Sequence, residues 1–302
     1  MLTAVIVYMS ILVLVGTWRS RKVRTGDDFL VAGRTLPARV LVFTLLATWV
    51  GSGSLFGGAG LGYRSGISAL WQSAGAWAGI ALVYFIAPRV RRIAQYTVPD
   101  ILELRYGPAA RILGTITTVL AYSTIAAYQF RGGGKVLSMV SDGMVSLETG
   151  IIITAVFAIS YTVLAGMFSV VYTDVVNGVL MTIGTIGALI FLYFKVGGLG
   201  EIITVAESAG KWQWFGNWAA ERTGDISGPI IAISFFVPTM LLLMGDANMY
   251  QRIFSSKDGG SAKKAVFFWI IGVVVLESVI SMLGLTGWVT ASKGIIPDLV
   301  AQ

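Results

Sequence analysis

The stretch that decides the fold is Val40–Tyr63, VLVFTLLATWVGSGSLFGGAGLGY. Its first half is an unbroken apolar run, and six glycines then follow within the twelve residues from Gly51 to Gly62. An apolar segment of about 20 residues is long enough to cross the hydrocarbon core of a bilayer. Glycines in this number either interrupt a helix or let a neighbouring helix approach closely. The segment therefore predicts a membrane helix that is broken near its middle or has a glycine face.

The composition extends this prediction to the whole chain. Of the 302 residues, 56% are hydrophobic and 12% are charged, and the mean hydropathy is +0.80. A soluble domain has ~25% charged residues, so this chain cannot cover a globular surface with polar groups and must face lipid. Cysteine and histidine do not occur, which excludes a disulfide scaffold, a thiolate nucleophile and a histidine base. We expect an all-α polytopic membrane protein that is not an enzyme and has no cofactor.

Apolar windows of about 20 residues predict eight transmembrane helices. They are Leu2–Trp18, Val40–Tyr63, Ile67–Pro88, Ile112–Phe130, Leu147–Gly166, Gly178–Val196, Pro229–Tyr250 and Ala265–Ala291. The basic cluster follows the first apolar run instead of preceding it, so this run is not a cleavable signal peptide. Two further helices are expected outside the membrane: a cytoplasmic one over Tyr96–Tyr106 and an extracellular one over Gly200–Arg222.

The basic residues predict the orientation. Fifteen of the 22 lysines and arginines lie on the first, third and seventh connections between spans. The positive-inside rule then places the odd connections in the cytoplasm and the N-terminus outside, in a multi-pass protein of the plasma (inner) membrane. The net charge of +7 is thereby explained by topology, and no nucleic-acid partner is expected.

Two spans are interrupted near mid-depth. Gly51 lies 12 residues beyond Arg39, which is about 18 Å of helix and close to the bilayer midplane. In the seventh span, Pro238 frees the carbonyl of Ser234, and Gly245 follows it. The freed carbonyls at a helix end carry the negative end of the dipole and need a cation, water or a packed partner. Interrupted spans at inverted, corresponding positions are typical of a cation-coupled secondary transporter with inverted repeats.

The sequence also resembles the sodium:solute symporter family. The resemblance is seen in the glycine-rich second span and continues in four further stretches: Asp28–Pro37 (DFLVAGRTLP), Tyr96–Tyr106 (YTVPDILELRY), Tyr161–Gly178 (YTVLAGMFSVVYTDVVNG) and the pair Gln251-Arg252. It implies the leucine-transporter-like fold, which has two inverted repeats after the first helix.

By this resemblance, residues 1–302 form a single transmembrane transporter domain in which the first repeat spans 40–196 and the second begins over 229–291. The second repeat is incomplete, because the helix that supplies the hydroxyl ligands of the family's sodium site is missing. We therefore expect the chain to be the N-terminal portion of a transporter.

The resemblance places the two backbone ligands of sodium on the carbonyls of Ala47 and Val50. The freed carbonyls that the broken span predicts fall on the same turn, over Leu46–Val50. Asp174 matches the family's aspartate beside the sodium exit path. Its alternative role is that of N-cap to the sixth span.

Solute contacts are expected around the break. The candidates are Trp49, Ser52, Ser54, Gln72, Ser73 and Asn248. Thr48–Gly51 (TWVG) is similar to the choline carriers, in which the tryptophan is one wall of a cage that binds a quaternary ammonium by cation–π attraction. Asp246 and Ile125 stand where other walls are expected, so Trp49 is alternatively a packing or gating residue.

Glu277 is a further candidate, since it lies 13 residues beyond Lys264, about 20 Å into the membrane. An acid at this depth is by default functional. It is a counter-charge to a cationic solute, a proton site, half of a structural ion pair, or a snorkelling or cavity-facing acid without a functional role.

These features predict a sodium-coupled symporter of a small polar organic solute, whose partners are that solute, sodium and the lipid bilayer. A proton-coupled carrier and a membrane sensor fused to a signalling domain are the alternatives.

Overall fold

The computed structural model describes residues 2–20, 23–93, 95–216 and 228–295. Nearly all of these residues are helical. The α-helices are α1 (Leu2–Ser20), α2 (Gly26–Val31), α3 (Ala38–Trp49), α4 (Ala59–Ser65), α5 (Leu70–Ile93), α6 (Val98–Tyr106), α7 (Pro108–Val140), α8 (Leu147–Val196), α9 (Leu199–Ser208), α10 (Gly228–Met244), α11 (Ala247–Phe254) and α12 (Gly259–Ser292). A π-helical turn, Gly53–Gly58, leads into α4.

Five helical stretches of the described chain are long and apolar enough to cross a membrane. They are Gly53–Ile93, Pro108–Val140, Val170–Val196, Gly228–Phe254 and Gly259–Ser292. Three shorter apolar helices, Val5–Leu14, Ala38–Trp49 and Leu147–Ser160, accompany them. Every predicted span overlaps one of these stretches, and the prediction of an all-α polytopic membrane protein is confirmed.

The second span is interrupted where the glycines begin. α3 ends at Trp49, and Val50 leaves the helical region with φ −85° and ψ 85°. Helical structure resumes at Gly53. The predicted break near Gly51 is therefore present.

The seventh span is interrupted farther along than predicted. α10 passes through Pro238 and ends at Met244, so the prediction of a break at the proline is wrong. Proline removes one N–H, and the strongly apolar sequence on both sides keeps the helix intact. The interruption lies at Gly245 and Asp246, where the Asp246 carboxylate accepts a hydrogen bond from the Met249 amide at 3.1 Å and caps α11.

The predicted fifth and sixth spans follow each other directly within α8, whose two helical parts are separated by a kink at Gly166. Gly166 has a φ of +59°, and an added Cβ would lie 2.6 Å from the Phe29 ring. Both facts require glycine at this position. The connection expected after the fifth span is therefore reduced to this kink.

The helix expected over Gly200–Arg222 is shorter than predicted. α9 begins at Leu199 and ends at Ser208. After it, the Lys211 amide donates a hydrogen bond to the Ala206 carbonyl at 2.7 Å. Residues 217–222 of the prediction lie outside the described residues.

The chain divides into two compact units. The first comprises Met1–Ser52, Tyr84–Gly178 and Asp246–Val266, and the second comprises Gly53–Val83, Val179–Gly245 and Phe267–Gln302.

In the first unit, the first and seventh connections meet in a parallel bridge. Leu36 donates its amide to the Ser255 carbonyl at 3.0 Å and accepts one from Lys257 at 3.0 Å. The third connection joins them because Tyr96 donates its hydroxyl to Asp27, a bond that raises the pKa of the Tyr96 phenol. The basic connections thus share one end of this unit, as the predicted topology requires.

In the second unit, glycines allow backbones to touch. A Cβ on Gly62 would collide with the Ser281 carbonyl, and one on Gly284 would collide with that of Ala59. α4 and α12 therefore pack against each other with little more than their main chains between them. The glycine face and the glycine break, alternatives in the sequence, both occur in span two.

Orientation can be tested with single cysteines, since the 302 residues contain none. Lys257 lies on the seventh connection and Ser208 is the last residue of α9, and both side chains are exposed. In intact cells a membrane-impermeant maleimide should label Ser208→Cys, and should label Lys257→Cys only after permeabilisation. The reverse pattern would invert the topology.

Candidate functional site

The break in span two leaves a carbonyl without its helical donor. The Val50 amide still bonds to the Leu46 carbonyl at 2.9 Å. The next amide, that of Gly51, would serve Ala47 in a continuing helix but bonds to the Trp49 carbonyl at 3.1 Å. The Ala47 carbonyl therefore stands at the C-terminal end of α3, where the helix dipole is negative.

Gln129 of α7 holds the unwound backbone. Its Oε1 accepts the Ser52 amide at 2.9 Å and also accepts the Ser52 hydroxyl. Its Nε2 fills the space that a Cβ on Gly51 would occupy. Sequence reasoning missed Gln129, because it lies 77 positions from Ser52 and nothing in span four marks it as a partner.

A freed helix-end carbonyl of this kind suits a hard monovalent cation. Sodium prefers oxygen ligands, and a carbonyl at the negative end of a helix dipole offers both the atom type and the field. Val50 is buried and Ala47 is half-buried in the first unit, so water has limited access to this turn.

Asp174 belongs to a buried cluster with Thr44 and Arg252. Its Oδ2 accepts the Thr44 hydroxyl at 2.6 Å and Arg252 Nη2 at 3.0 Å. Arg252 Nε in turn donates to the Thr44 oxygen at 3.0 Å. The side chains of Arg252 and Asp174 are 9% and 15% exposed, so the ion pair is shielded from solvent.

The position of Asp174 contradicts one of its two predicted roles. The residue lies inside α8 and does not stand at the start of a helix, so the N-cap interpretation is wrong. Its carboxylate ties α8 to α3 and α11 within the first unit. Thr44 lies one turn before Ala47, which brings the cluster close to the freed carbonyl along α3.

The other interrupted span has its own polar cluster. The Asp246 carboxylate accepts the Tyr122 hydroxyl at 2.7 Å, and that hydroxyl accepts the Asn248 amide at 3.0 Å. Asn248, a predicted solute contact, is therefore held by its backbone beside Tyr122 of α7. No sequence pattern indicated Tyr122, since its partners lie more than 120 positions away.

The remaining candidates belong to the second unit. Ser54 lies in the π-helical turn, Gln72 and Ser73 lie in the first turn of α5, and Glu277 lies in α12. Ser54 and Ser73 are half-buried, Gln72 is exposed, and Glu277 is only 7% exposed. In the first unit, by contrast, Trp49 and Ser52 flank Val50 at the break, and both are half-buried.

Known proteins resemble this chain along nearly its whole length. The sodium:solute symporter family model matches residues 29–301. The sodium/pantothenate symporter of Escherichia coli (strain K12) is 25% identical over 97% of this chain and 60% of its own length. The Homo sapiens high affinity choline transporter 1 is 27% identical over 98% of this chain and 52% of its own length. The chain thus spans little more than half the length of these relatives.

A solved structure shares the fold. A Na+-coupled sialic acid symporter, in a substrate-bound outward-open state, matches with a TM-score of 0.82 and 22% sequence identity. The match covers 97% of this chain and 61% of that protein. It confirms the predicted transporter fold.

The buried cluster should contribute to stability. Arg252→Gln leaves the Asp174 carboxylate buried without its cation, which should lower the free energy of unfolding by about 3 kcal/mol. Denaturant titration of the purified protein measures this loss. Asp174→Asn added to Arg252→Gln should restore part of it.

The matched control is the exposed pair Lys257–Asp258, whose charged atoms are 3.9 Å apart. Lys257→Gln should change the free energy of unfolding by less than about 0.5 kcal/mol. Equal losses in the two single variants would contradict a special role for the buried cluster.

Proposed function

We propose that this chain, which belongs to the sodium:solute symporter family, forms the ion site and part of the solute site of a sodium-coupled symporter for a small polar organic solute. The protein would lie in the plasma membrane with its N-terminus outside. It would couple entry of the solute to the entry of sodium down its gradient.

The observation that supports this proposal best is the interrupted backbone between α3 and the π-helical turn. Sodium would bind at the Ala47 and Val50 carbonyls, where the Gly51 amide has left the helical ladder. In a continuous helix, the Ala47 carbonyl would accept a hydrogen bond from the Gly51 amide. Interruption at this depth therefore has a cost that a bound cation offsets.

Asp174 would act next, on the path by which sodium leaves. Its carboxylate is already neutralised by Arg252, so an arriving sodium ion competes with the guanidinium for it. The competition keeps the carboxylate from trapping the ion, because the arginine replaces the ion when it departs. Asp174 would then guide sodium without holding it.

The solute would contact the side chains around the break. Trp49 and Ser52 stand beside the freed carbonyl in the first unit. Ser54, Gln72, Ser73 and Asn248 are the other proposed contacts. The named relatives are carriers of pantothenate and choline, and a small polar organic solute is the class that they share.

Glu277 supports a second candidate, a proton-coupled carrier. It is 7% exposed within an apolar helix. A carboxyl group there could exchange a proton. Sodium remains the first choice because the interrupted backbone offers oxygen ligands, and Glu277 lies on another helix.

Uptake tests both the ion and the break. In cells expressing the protein, solute uptake should require a sodium gradient and persist with a proton ionophore while that gradient is clamped. Gly51→Ala should raise the sodium concentration for half-maximal uptake at least about tenfold, since its Cβ displaces Gln129 from the unwound segment. Gly60→Ala is the matched control: a Cβ there meets no atom within 4 Å, and uptake should be unchanged.

A dependence of uptake on protons would contradict sodium coupling. Uptake that follows the pH gradient, ignores sodium and stops in Glu277→Gln would replace sodium by the proton as coupling ion.

Asp174→Asn separates ion from solute. The change removes the negative charge that guides sodium, so the sodium concentration for half-maximal uptake should rise about tenfold. The KM for the solute, measured at saturating sodium, should change by less than about twofold. A larger effect on the solute KM would place Asp174 at the solute site.

A further inference from the structure

A cavity of about 200 Å³ opens in the first unit between α6, α7 and α11. We call it the threonine cavity after Thr97, Thr115 and Thr118, which line it. Two tyrosines and two carboxamides complete its polar lining. The break and the Asp174 cluster do not contribute to it, so it is separate from the proposed ion site, and Asn248 is the one proposed solute contact that also lines it.

The cavity lies at a depth where bare polar groups are costly. Its α7 residues run from Thr115 to Tyr122, which is about 10 to 21 Å from the start of that helix at Pro108. Hydroxyl groups at such a depth need hydrogen-bond partners.

The threonine hydroxyls of α7 that line the cavity donate their protons to backbone carbonyls of the same helix. Thr115 donates to the Arg111 carbonyl at 2.8 Å. Thr118 donates to the Gly114 carbonyl, also at 2.8 Å. Each oxygen therefore presents only lone pairs to the cavity.

The other hydroxyls of the lining also donate their protons to acceptors of the protein. Thr97 donates to Asp100 Oδ2 at 2.7 Å. Tyr122 donates to Asp246, and Tyr96 donates to Asp27. All five hydroxyl groups that line the cavity therefore direct their protons to acceptors of the protein.

The carboxamides leave few donors. Gln251 Nε2 donates to the Leu30 carbonyl at 2.9 Å, so one of its two protons is used. Asn248 is the other carboxamide of the lining. Thr97 and Tyr122 already accept the backbone amides of Asp100 at 3.3 Å and Asn248 at 3.0 Å, which leaves the Thr115 and Thr118 oxygens as the main acceptors of the lining.

The charges nearby also favour a cation. In the described part of the chain, no lysine or arginine forms an ion pair with Asp246, which lies behind Tyr122. Asp100, behind Thr97, is paired with Arg111 at 3.2 Å, so it contributes less negative charge to the cavity than Asp246 does. The nearest cation of α11, Arg252, is committed to Asp174.

Other cations stand at the rim. The Arg34 guanidinium lies 5.2 Å from the centre of the Tyr96 ring, so this ring already contacts a cation of the protein. Asp246 is the carboxylate that the Tyr122 hydroxyl contacts directly, at 2.7 Å.

We propose that the threonine cavity binds a small organic ammonium ion. Its N–H groups would donate to the Thr115 and Thr118 oxygens, and the ring of Tyr122 would add cation–π attraction. The site would be a second one, on the side of the basic connections, and it does not depend on sodium coupling.

Ethanolamine is the probe, and calorimetry on the purified protein at constant sodium is the measurement. Ethanolamine should bind saturably, whereas ethylene glycol and glycolate at the same concentrations should not. Thr115→Val combined with Thr118→Val removes two acceptors and should weaken ethanolamine binding about tenfold or more.

The matched control lies on the same helix. Thr117 and Thr124 donate to the carbonyls four residues earlier at 2.9 and 3.0 Å, but neither lines the cavity. Thr117→Val combined with Thr124→Val should leave the affinity for ethanolamine unchanged. Equal weakening in both double variants would overturn the proposal, as would binding of glycolate or ethylene glycol with the affinity of ethanolamine.

Gly51→Ala separates this site from the proposed ion site at the break. Ethanolamine should bind to Gly51→Ala with its normal affinity even though sodium-dependent uptake is impaired. Loss of ethanolamine binding in Gly51→Ala would place the ammonium at the break and refute the cavity as its site. Normal binding to a protein whose uptake ignores sodium would refute only the symporter function.

Discussion

The structure depends on one constraint: a backbone polar group within the bilayer must have a partner. At Val50–Ser52 the helix stops at membrane depth, and the Gly51 and Ser52 amides leave the ladder. Gln129 supplies the acceptor for Ser52 from a different helix, which keeps the unwound turn in a defined shape. The Ala47 carbonyl loses its helical donor, because the Gly51 amide bonds to the Trp49 carbonyl instead. Without Gln129 the Ser52 amide would also lack an acceptor, which is costly at membrane depth.

Glycine has two physical roles within the same span, and each needs the absence of a Cβ for a different reason. At Gly51 the missing Cβ admits the Gln129 side chain to the unwound turn. At Gly62 it admits the backbone of α12, so that two helices approach more closely than side chains allow. One glycine-rich stretch thus provides both a flexible interruption and a rigid contact, and a substitution at either position would fail for its own reason.

Charge is also used in two ways. Most of the basic residues lie on the connections that share one end of the first unit, and most of those whose exposure the structure describes are exposed. Arg252 belongs to the same set in the sequence, yet it is 7% exposed and is committed to Asp174 and Thr44. Its guanidinium neutralises the Asp174 carboxylate within the first unit. A residue of the basic connections thus also ties α11 to α8 and α3.

The sequence by itself determined the eight apolar spans, the grouping of the basic connections and the break near Gly51. These depend on composition and on spacing within one segment, where each residue's neighbours are known from the chain. Tertiary structure decided that Gln129 holds the break, that Asp174 pairs with Arg252 and does not cap a helix, and that span seven stops at Gly245 and passes through Pro238. Those outcomes depend on partners 77 or more positions away, or on competition between one lost hydrogen bond and the packing of a whole helix. Local spacing cannot contain that information, because it arises only when distant segments meet.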